Sequence, residues 1–258
     1  MTDIELYFNK SVGENASLYY DKSKKMRKKI EGARAALERS KEMLEKAEKE
    51  KTSKEGVKET KKVERKTEWY EKFRWFISSE GFLCIGGRDA TTNEIVVKKH
   101  AEKDDIIFHT EMAGSPFFII KTGGKKPGRP TLDESAQATA SYSRAWKLGI
   151  TLAEVFYVNP EQVSKEAEAG EFIARGAFMI RGKKNFIRIG LELAIGIKDG
   201  QIIGGPVDSI KKNAEKYVVI APGKEKASDA AKKIKQKIGG EIDDIIRFLP
   251  SGGVKLER

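Results

Sequence analysis

The sequence has little that could form a disulfide or hold a metal. Among 258 residues there are one cysteine and two histidines. A lone cysteine excludes an intrachain disulfide and a site of several thiolates, and it indicates a reducing compartment. Cys84 lies in the apolar stretch FLCIGG, where we expect a small buried side chain rather than a reactive thiol. Two histidines are too few for a histidine-based metal cage without many carboxylates, so we predict no metal and no cofactor.

Long apolar runs are also missing. None approaches the roughly 18 residues that a membrane-spanning helix requires. The N-terminal MTDIELYFNKSVGEN has neither the basic start nor the apolar core of a signal peptide. We therefore expect a soluble, cytoplasmic protein with no membrane partner.

Acidic residues are outnumbered by basic ones. There are 50 Lys and Arg against 39 Asp and Glu, a formal net charge of +11. Both the long charged region near the N-terminus and the remainder of the chain carry part of this excess. A basic surface favours a polyanionic partner over an acidic small substrate.

A heptad pattern occupies the first part of the chain. From Val12 to Ala47 an apolar or small residue recurs at alternating steps of four and three, with mostly charged residues between. The stretch KTSKEGVKE interrupts the pattern, and a more polar helical stretch follows to about Glu71. We predict an antiparallel coiled-coil helical hairpin over residues 1–66, whose first arm has about 35 residues and spans roughly 50 Å.

The composition changes at Trp69 to short apolar runs separated by turn residues. WFIS and FLCIGG, joined by a turn at residues 78–81, predict a β-hairpin. Further strands are predicted in DDIIFHT, SPFFIIKT, EVFYVNP, EFIARGAFMIR and LELAIGI. A helix is predicted in TLDESAQATASYSRAWKLG, because Thr131 and Glu134 have capping-box spacing, while NEIVVKKHAEK fits helix or strand.

The last part of the chain predicts two more strands, QIIGGPVD and KYVVIAP, and two more helices, SDAAKKIKQKI and EIDDIIRFL. Strands and helices in mixed order indicate an α+β fold with a mixed, mainly antiparallel sheet and flanking helices. We expect residues 67–190 to form one domain and residues 191–258 to be an α/β extension packed on it.

Signatures of catalysis are weak. No serine lies in a G-x-S-x-G context, and the glycine-rich loops fit neither a Walker pattern nor a dinucleotide fingerprint. His109 ends a predicted strand beside Glu111, which leaves open a general base in an RNA-processing enzyme. A structural or RNA-contacting histidine is the alternative.

Basic residues are instead concentrated in loops with few acids. Three groups stand out, and they favour a shared polyanion-binding face: Lys121, Lys125, Lys126 and Arg129; Arg144 and Lys147; Arg175, Arg181, Lys183, Lys184 and Arg188. No recognition helix for the major groove is evident, and Tyr142 and Trp146 lie among the cations. This interleaving favours RNA over duplex DNA.

Several motifs occur in a specific order. WYEKFRWFISSEGFLCIGGRDATTNEIVVKK is followed by DDIIFH, YSRAW, NPEQVSK and GAFMIRGKKN. These residues resemble the NFACT-R domain of the NEMF and RqcH (FbpA-like) family of ribosome-associated quality-control factors. SVGENASLYYDKSKKMRKKIEGA is similar to the family's coiled-coil middle region. The closing GQIIGGPVDSIKKNAEKYVVIAPG and RFLPSGG resemble the archaeal branch.

The resemblance implies a factor that catalyses nothing itself. It implies binding to ribosomal RNA of a large subunit that retains peptidyl-tRNA after stalling, and recruitment of tRNA for C-terminal tailing. The chain begins where the family's middle region begins, so we expect the NFACT-N domain to act in cis or in trans. Where many relatives have a second histidine in HADxHGAP, this chain has Ala113, which weakens a two-histidine catalytic or metal site.

We expect RNA contacts from nine residues, and Asp89 is expected to fix Arg88 or the turn. The nine are Arg88, Lys98, Lys99, His109, Arg144, Arg181, Lys183, Lys184 and Arg188. An interaction module that works mainly through its coiled coil remains a second alternative to RNA binding. The sequence leaves the oligomeric state open.

Overall fold

The computed structural model describes residues 5–52, 67–166 and 173–257. The chain divides into two compact units, Met1–Arg65 and Lys66–Arg258. Over the described ranges, no helix combines the length and the apolar character needed to cross a membrane.

The first unit contains one long helix, α1 (Val12–Thr52). Its start is fixed by a capping box, because the Ser11 hydroxyl accepts a hydrogen bond from Glu14 N at 3.3 Å and the Glu14 carboxylate accepts one from Ser11 N at 2.7 Å. The heptad positions Met26, Ile30 and Leu37 are at least half exposed. The predicted returning arm falls on residues 53–66, outside the described residues, so the hairpin stays a prediction.

The second unit is built on a six-stranded antiparallel sheet. Its strand order is β1-β2-β4-β3-β5-β8. The strands are β1 (Arg74–Ile77), β2 (Leu83–Gly86), β3 (Ile106–His109), β4 (Phe118–Lys121), β5 (Leu152–Val158) and β8 (Asn185–Gly190). A separate pair is formed by β6 (Val163–Ser164) and β7 (Met179–Ile180). The predicted β-hairpin of β1 and β2 is therefore confirmed. The strand β8 was not predicted.

Helices cover both faces of this sheet. On one face α3 (Arg129–Ser141) and α4 (Arg144–Lys147) pack over a core that includes Phe108, Phe118 and Trp146. On the other face α2 (Ala90–Ile95) continues into a π-helical turn, Val96–His100, which covers Ile85 and Ile119. NEIVVKKHAEK is thus helical at its start.

The predicted capping box of α3 is wrong. The helix begins at Arg129, two residues earlier, with Gly128 as its N-cap. The Thr131 hydroxyl donates to the Glu80 carboxylate at 2.6 Å, and Glu134 accepts a hydrogen bond from Ser79 N at 2.9 Å. Both side chains therefore hold the β1–β2 turn against the helix rather than capping it.

The last part of the chain forms a second antiparallel sheet in the same unit, with the order β10-β9-β11-β12. Its strands are β9 (Leu193–Lys198), β10 (Gln201–Gly205), β11 (Lys216–Glu225) and β12 (Val254–Leu256). Its helices are α5 (Val207–Asn213), α6 (Ala227–Ile238) and α7 (Ile242–Phe248). Ser209 Oγ donates to Ile77 O at 2.8 Å and so ties α5 to the end of β1. The α+β class is confirmed, although α5 and β12 were not predicted.

Candidate nucleic-acid interface

A cleft of about 380 Å³ opens where three loops of the second unit meet. These loops are residues 87–89 after β2, residues 113–117 before β4 and residues 175–178 before β7. The cleft therefore joins the GGRDA, MAGSP and RGAF stretches, which lie far apart in the sequence.

The loop after β2 is held by tight backbone packing. A Cβ on Gly87 would lie 1.9 Å from Asn93 Oδ1, so this position requires glycine. Asn93 Oδ1 also accepts a hydrogen bond from Phe117 N at 3.1 Å, which ties α2 to the loop before β4. Asp89 accepts a hydrogen bond from Thr92 N at 2.8 Å and caps α2. Asp89 therefore fixes the turn, as expected, and forms no ion pair with Arg88 among the described residues.

Two arginines line the cleft beside this loop. The Arg74 guanidinium lies 3.9 Å from the centre of the Tyr142 ring, and Arg88 Nη2 donates to Phe73 O at 3.0 Å. Arg88 Nε is buried and has no hydrogen-bond partner. Burial lowers the pKa of both groups, and the neighbouring charges of Arg74 and Arg247 lower the pKa of Arg88 further. In the part of the chain that the structure describes, no carboxylate forms an ion pair with Arg74 or Arg88.

His109 forms part of the cleft wall as a neutral group. Its ring stacks on Phe117, with 4.0 Å between centroids, and burial lowers its pKa to about 4. Backbone hydrogen bonds with Thr110 and Ser115 oppose this shift without cancelling it. Glu111 is mostly exposed and pairs with Lys184 Nζ at 2.7 Å. A pKa of about 4 makes this imidazole a weak proton acceptor, and its neighbouring acid is engaged elsewhere; both observations argue against the general-base alternative.

The basic loop between β7 and β8 is held in place by Gln162. The Gln162 side-chain amide donates to Arg181 O at 2.8 Å and to Lys183 O at 3.0 Å. Gly182, with φ +81°, makes the turn between them. The side chains of Arg181 and Lys183 are exposed and have no ion pair with another described residue. Lys184 instead packs over the Phe156 ring, 4.6 Å from its centre.

The remaining expected contacts lie outside the cleft or at its rim. Arg144 is exposed, and its Cβ would be 3.7 Å from a Cβ on Gly114 in the cleft wall. Lys98 pairs with Glu94 at 2.7 Å, and Arg188 pairs with Glu154 at 3.6 Å on the outer strand β8. Lys99 is exposed beside Lys98. The structure thus brings Arg88 and His109 into the cleft and Arg144 to its rim, but not Lys98, Lys99 or Arg188.

The two aromatic residues that lie among the cations in the sequence, Tyr142 and Trp146, are engaged in packing. Trp146 is buried, and its Nε1 donates to Gly253 O at 2.9 Å. The Tyr142 hydroxyl donates to Phe248 O at 2.8 Å. Its ring lies near Phe118, with a centroid separation of 6.1 Å, as well as against Arg74. Both side chains therefore anchor the end of α3 and the start of α4 rather than offering a free ring face.

Sequence reasoning missed Arg74 and did not select Arg175, although both line the cleft. The alternation in KFRWFIS contained a signal, because it puts Arg74 on the same sheet face as Phe76, where an apolar residue is expected. Arg247 had no comparable signal, since its proximity to Arg88 depends on how α7 packs.

Comparison with known proteins identifies sequences that are similar to this chain. Residues 72–182 match a family described as "NFACT protein RNA binding domain". The archaeal Rqc2 homolog aRqcH of Methanocaldococcus jannaschii is 42% identical over 204 residues, which cover 76% of this chain and 30% of the relative.

Animal proteins are also similar to this chain. The ribosome quality control complex subunit NEMF homolog of Drosophila melanogaster is 37% identical, covering 78% of this chain and 21% of the relative. The human subunit NEMF is 39% identical, covering 67% of this chain and 16% of the relative. The chain thus spans less than a third of the length of these relatives.

Proposed function

Since the chain belongs to the NEMF and RqcH family and contains its RNA binding domain, we propose that it is an RNA-binding factor of ribosome-associated quality control. Its partner is the large ribosomal subunit that retains peptidyl-tRNA after stalling. With an NFACT-N domain, in cis or in trans, it supports recruitment of tRNA for C-terminal tailing. The place of action is the cytoplasm, where such subunits arise.

The observation that carries this proposal is the set of unpaired cations around the cleft. Arg74 and Arg88 line it, Arg144 lies at its rim, and Arg181 and Lys183 project from the neighbouring loop. None of the five has an ion-pair partner among the described residues. Phosphate groups of RNA are suited to such a surface, because they supply the missing negative charge and accept several N–H donors.

Catalysis by the chain itself is not part of the proposal. His109 is neutral at pH 7 and packs against Phe117, and the described residues contain no group of three or more His, Cys, Asp or Glu that could hold a metal ion. The proposed role is to hold RNA, while bond formation takes place elsewhere on the ribosome.

The salt dependence of RNA binding tests the basic loop. Replacing Arg181, Lys183 and Lys184 by alanine should reduce the slope of log affinity against log salt for single-stranded RNA by about 1.4, at roughly 0.7 for each of the two unpaired cations, because Lys184 is already paired with Glu111. The control replaces Lys232, Lys235 and Lys237 on α6, which removes the same charge from a helix outside the cleft. Equal slopes for the loop variant and the wild-type chain would remove the loop from the interface.

Crosslinking to ribosomal particles tests the partner. The chain is crosslinked to large subunits that carry peptidyl-tRNA and to the same subunits without it, and the attached RNA is sequenced. The expected result is enrichment of ribosomal RNA and tRNA over naked RNA at equal concentration. A lack of enrichment would contradict the quality-control role while leaving simple RNA binding possible.

A further inference from the structure

We propose that the cleft binds one nucleotide of single-stranded RNA, with its phosphate at Arg74 and Arg88 and its base against the partly exposed rings of His109 and Phe178, which the buried Phe117 supports. This inference rests on the proposed RNA-binding function. It assigns that function a specific pocket and a specific class of ligand.

The phosphate half of the cleft has an electrostatic imbalance. Arg88 is half buried beside Arg74 and within the influence of Arg247, and the three like charges disfavour one another. Like charges in a poorly solvated site are costly unless an anion balances them. Neither Arg74 nor Arg88 has its pKa shifted by a carboxylate. The cluster therefore lacks its counter-charge within the described chain.

The two guanidinium groups that line the cleft indicate where that anion would sit. Arg88 commits Nη2 to Phe73 O, and this bond fixes the plane of its guanidinium. Its Nε remains buried without an acceptor. The Arg74 guanidinium is held over the Tyr142 ring, 3.9 Å from its centre. Two oriented guanidinium groups suit a tetrahedral phosphate, which accepts several N–H bonds at once.

The other half of the cleft is an aromatic wall suited to a base. His109 stacks on Phe117 at 4.0 Å, and Phe117 meets the edge of Phe178 at 5.2 Å. Phe117 is almost fully buried, so the surface on this side of the cleft comes from the partly exposed His109 and Phe178, together with the apolar Pro116 and Ile180. A neutral imidazole beside phenyl rings is a surface for an uncharged planar group such as a nucleobase. Phosphate alone would leave this half of the cleft unused.

The size of the cleft limits the ligand to about one nucleotide. Its volume of about 380 Å³ lies at the lower end of the usual range for small-molecule sites. A base can reach such a pocket only after leaving its neighbours in the stack, which favours single-stranded RNA over a duplex. The glycines at positions 87 and 176 keep the loops close, since a Cβ at either would overlap Asn93 or Ala90.

The test compares three small probes with the full chain. Adenosine 5′-monophosphate, adenosine and inorganic phosphate are titrated, and binding is followed by NMR shifts of the protein. The nucleotide should bind at least tenfold more tightly than either fragment, with shifts at Gly87, Ser115 and Phe178. Binding of the nucleotide no tighter than phosphate would overturn the proposal and leave an anion site only. Absence of nucleotide binding would overturn it as well.

Variants then test the phosphate-binding half and the base-binding half of the cleft separately. Arg88→Gln should weaken nucleotide binding about tenfold, as expected for removal of a charge-assisted hydrogen bond, and Phe178→Ala should weaken the nucleotide but not phosphate. Arg129→Gln is the matched control, because Arg129 is an exposed arginine that pairs with Asp133 away from the cleft. An unchanged nucleotide affinity in folded Arg88→Gln would contradict the assignment.

Folding and the wider function are checked separately. Arg88→Lys keeps the charge but removes the planar fork, so it should reduce affinity while its unfolding midpoint stays that of the wild-type chain. If the wild-type chain binds long single-stranded RNA but no mononucleotide, the cleft proposal is wrong and the RNA-binding function stands. If it binds neither, both are wrong.

Discussion

Acidification should destabilise this protein through His109 more than through an ordinary histidine. The folded chain holds the pKa of His109 at about 4, whereas an unfolded histidine titrates near 6.5. Between these two pH values His109 is protonated in the unfolded chain but not in the folded chain. The free energy of unfolding therefore falls as the pH is lowered. Above about pH 6.5 both states are neutral at this position, and the stability contribution is complete.

The size of the effect follows from the width of this pH window. A difference of about 2.5 pKa units corresponds to about 3 kcal/mol of unfolding free energy lost between pH 6.5 and 4. Carboxylates titrate in the same range, so the wild-type curve alone is not decisive. His109→Gln removes the titrating group and retains a polar side chain. The wild-type chain should therefore lose about 3 kcal/mol more than the variant over this window.

Urea unfolding followed by tryptophan fluorescence at a series of pH values gives the difference between the two chains. NMR titration of the imidazole Hε1 resonance gives the pKa of His109 directly. Equal pH dependence in both chains, or a measured pKa near 6.5, would refute the assignment of a buried, neutral imidazole. It would also restore His109 as a candidate proton carrier in the cleft.

Two further expectations concern side chains away from the cleft. Cys84 is fully buried, and burial raises the pKa of its thiol to about 12. A thiol reagent at pH 8 should therefore label Cys84 only when the chain is unfolded in urea. Rapid labelling of the native chain would contradict this expectation. Asp105→Ala should lower the unfolding free energy by about 3 kcal/mol in urea titrations, because it removes the buried partner of Lys121 and the acceptor of Glu102 N and Thr122 N. A decrease below about 1 kcal/mol would mean that Glu102 and His100 O, which Lys121 already contacts, suffice for its charge.

The hairpin of β1 and β2 could be predicted because its signals are local. Two apolar runs flank a short turn, and the observed pairing of Phe76 with Cys84 follows directly from the turn length. The capping-box interpretation of α3 failed for the opposite reason. Thr131 and Glu134 have suitable spacing, but a tertiary partner, the β1–β2 turn, takes both side chains. Hydrogen bonds to distant segments leave no trace in local spacing.

The residues of the candidate site could likewise be predicted only in part from the sequence. Arg88, His109 and Arg144 were functional candidates from the sequence, and two of them line one cleft with the third at its rim. Lys98 and Arg188 were candidates too, but these are paired with Glu94 and Glu154. An ion pair formed across a sheet or along a helix neutralises a cation that looks free in the sequence. The number of cations in a stretch of sequence therefore overestimates the positive charge that is available to a ligand.

The chemical character of this protein could be read from its residues alone: a basic chain with a lone apolar cysteine, a heptad pattern and an ordered set of family motifs. Residue types and short-range periodicity carry this information without any knowledge of packing. Packing was needed to show which cations lack partners and that His109 is held neutral by burial. The loop after β2, the loop before β4 and the turn before β7 become one cleft because the antiparallel order β1-β2-β4-β3-β5-β8 brings distant loops together. Burial at that junction then sets the charge state of His109 and leaves Arg88 Nε without a hydrogen-bond partner.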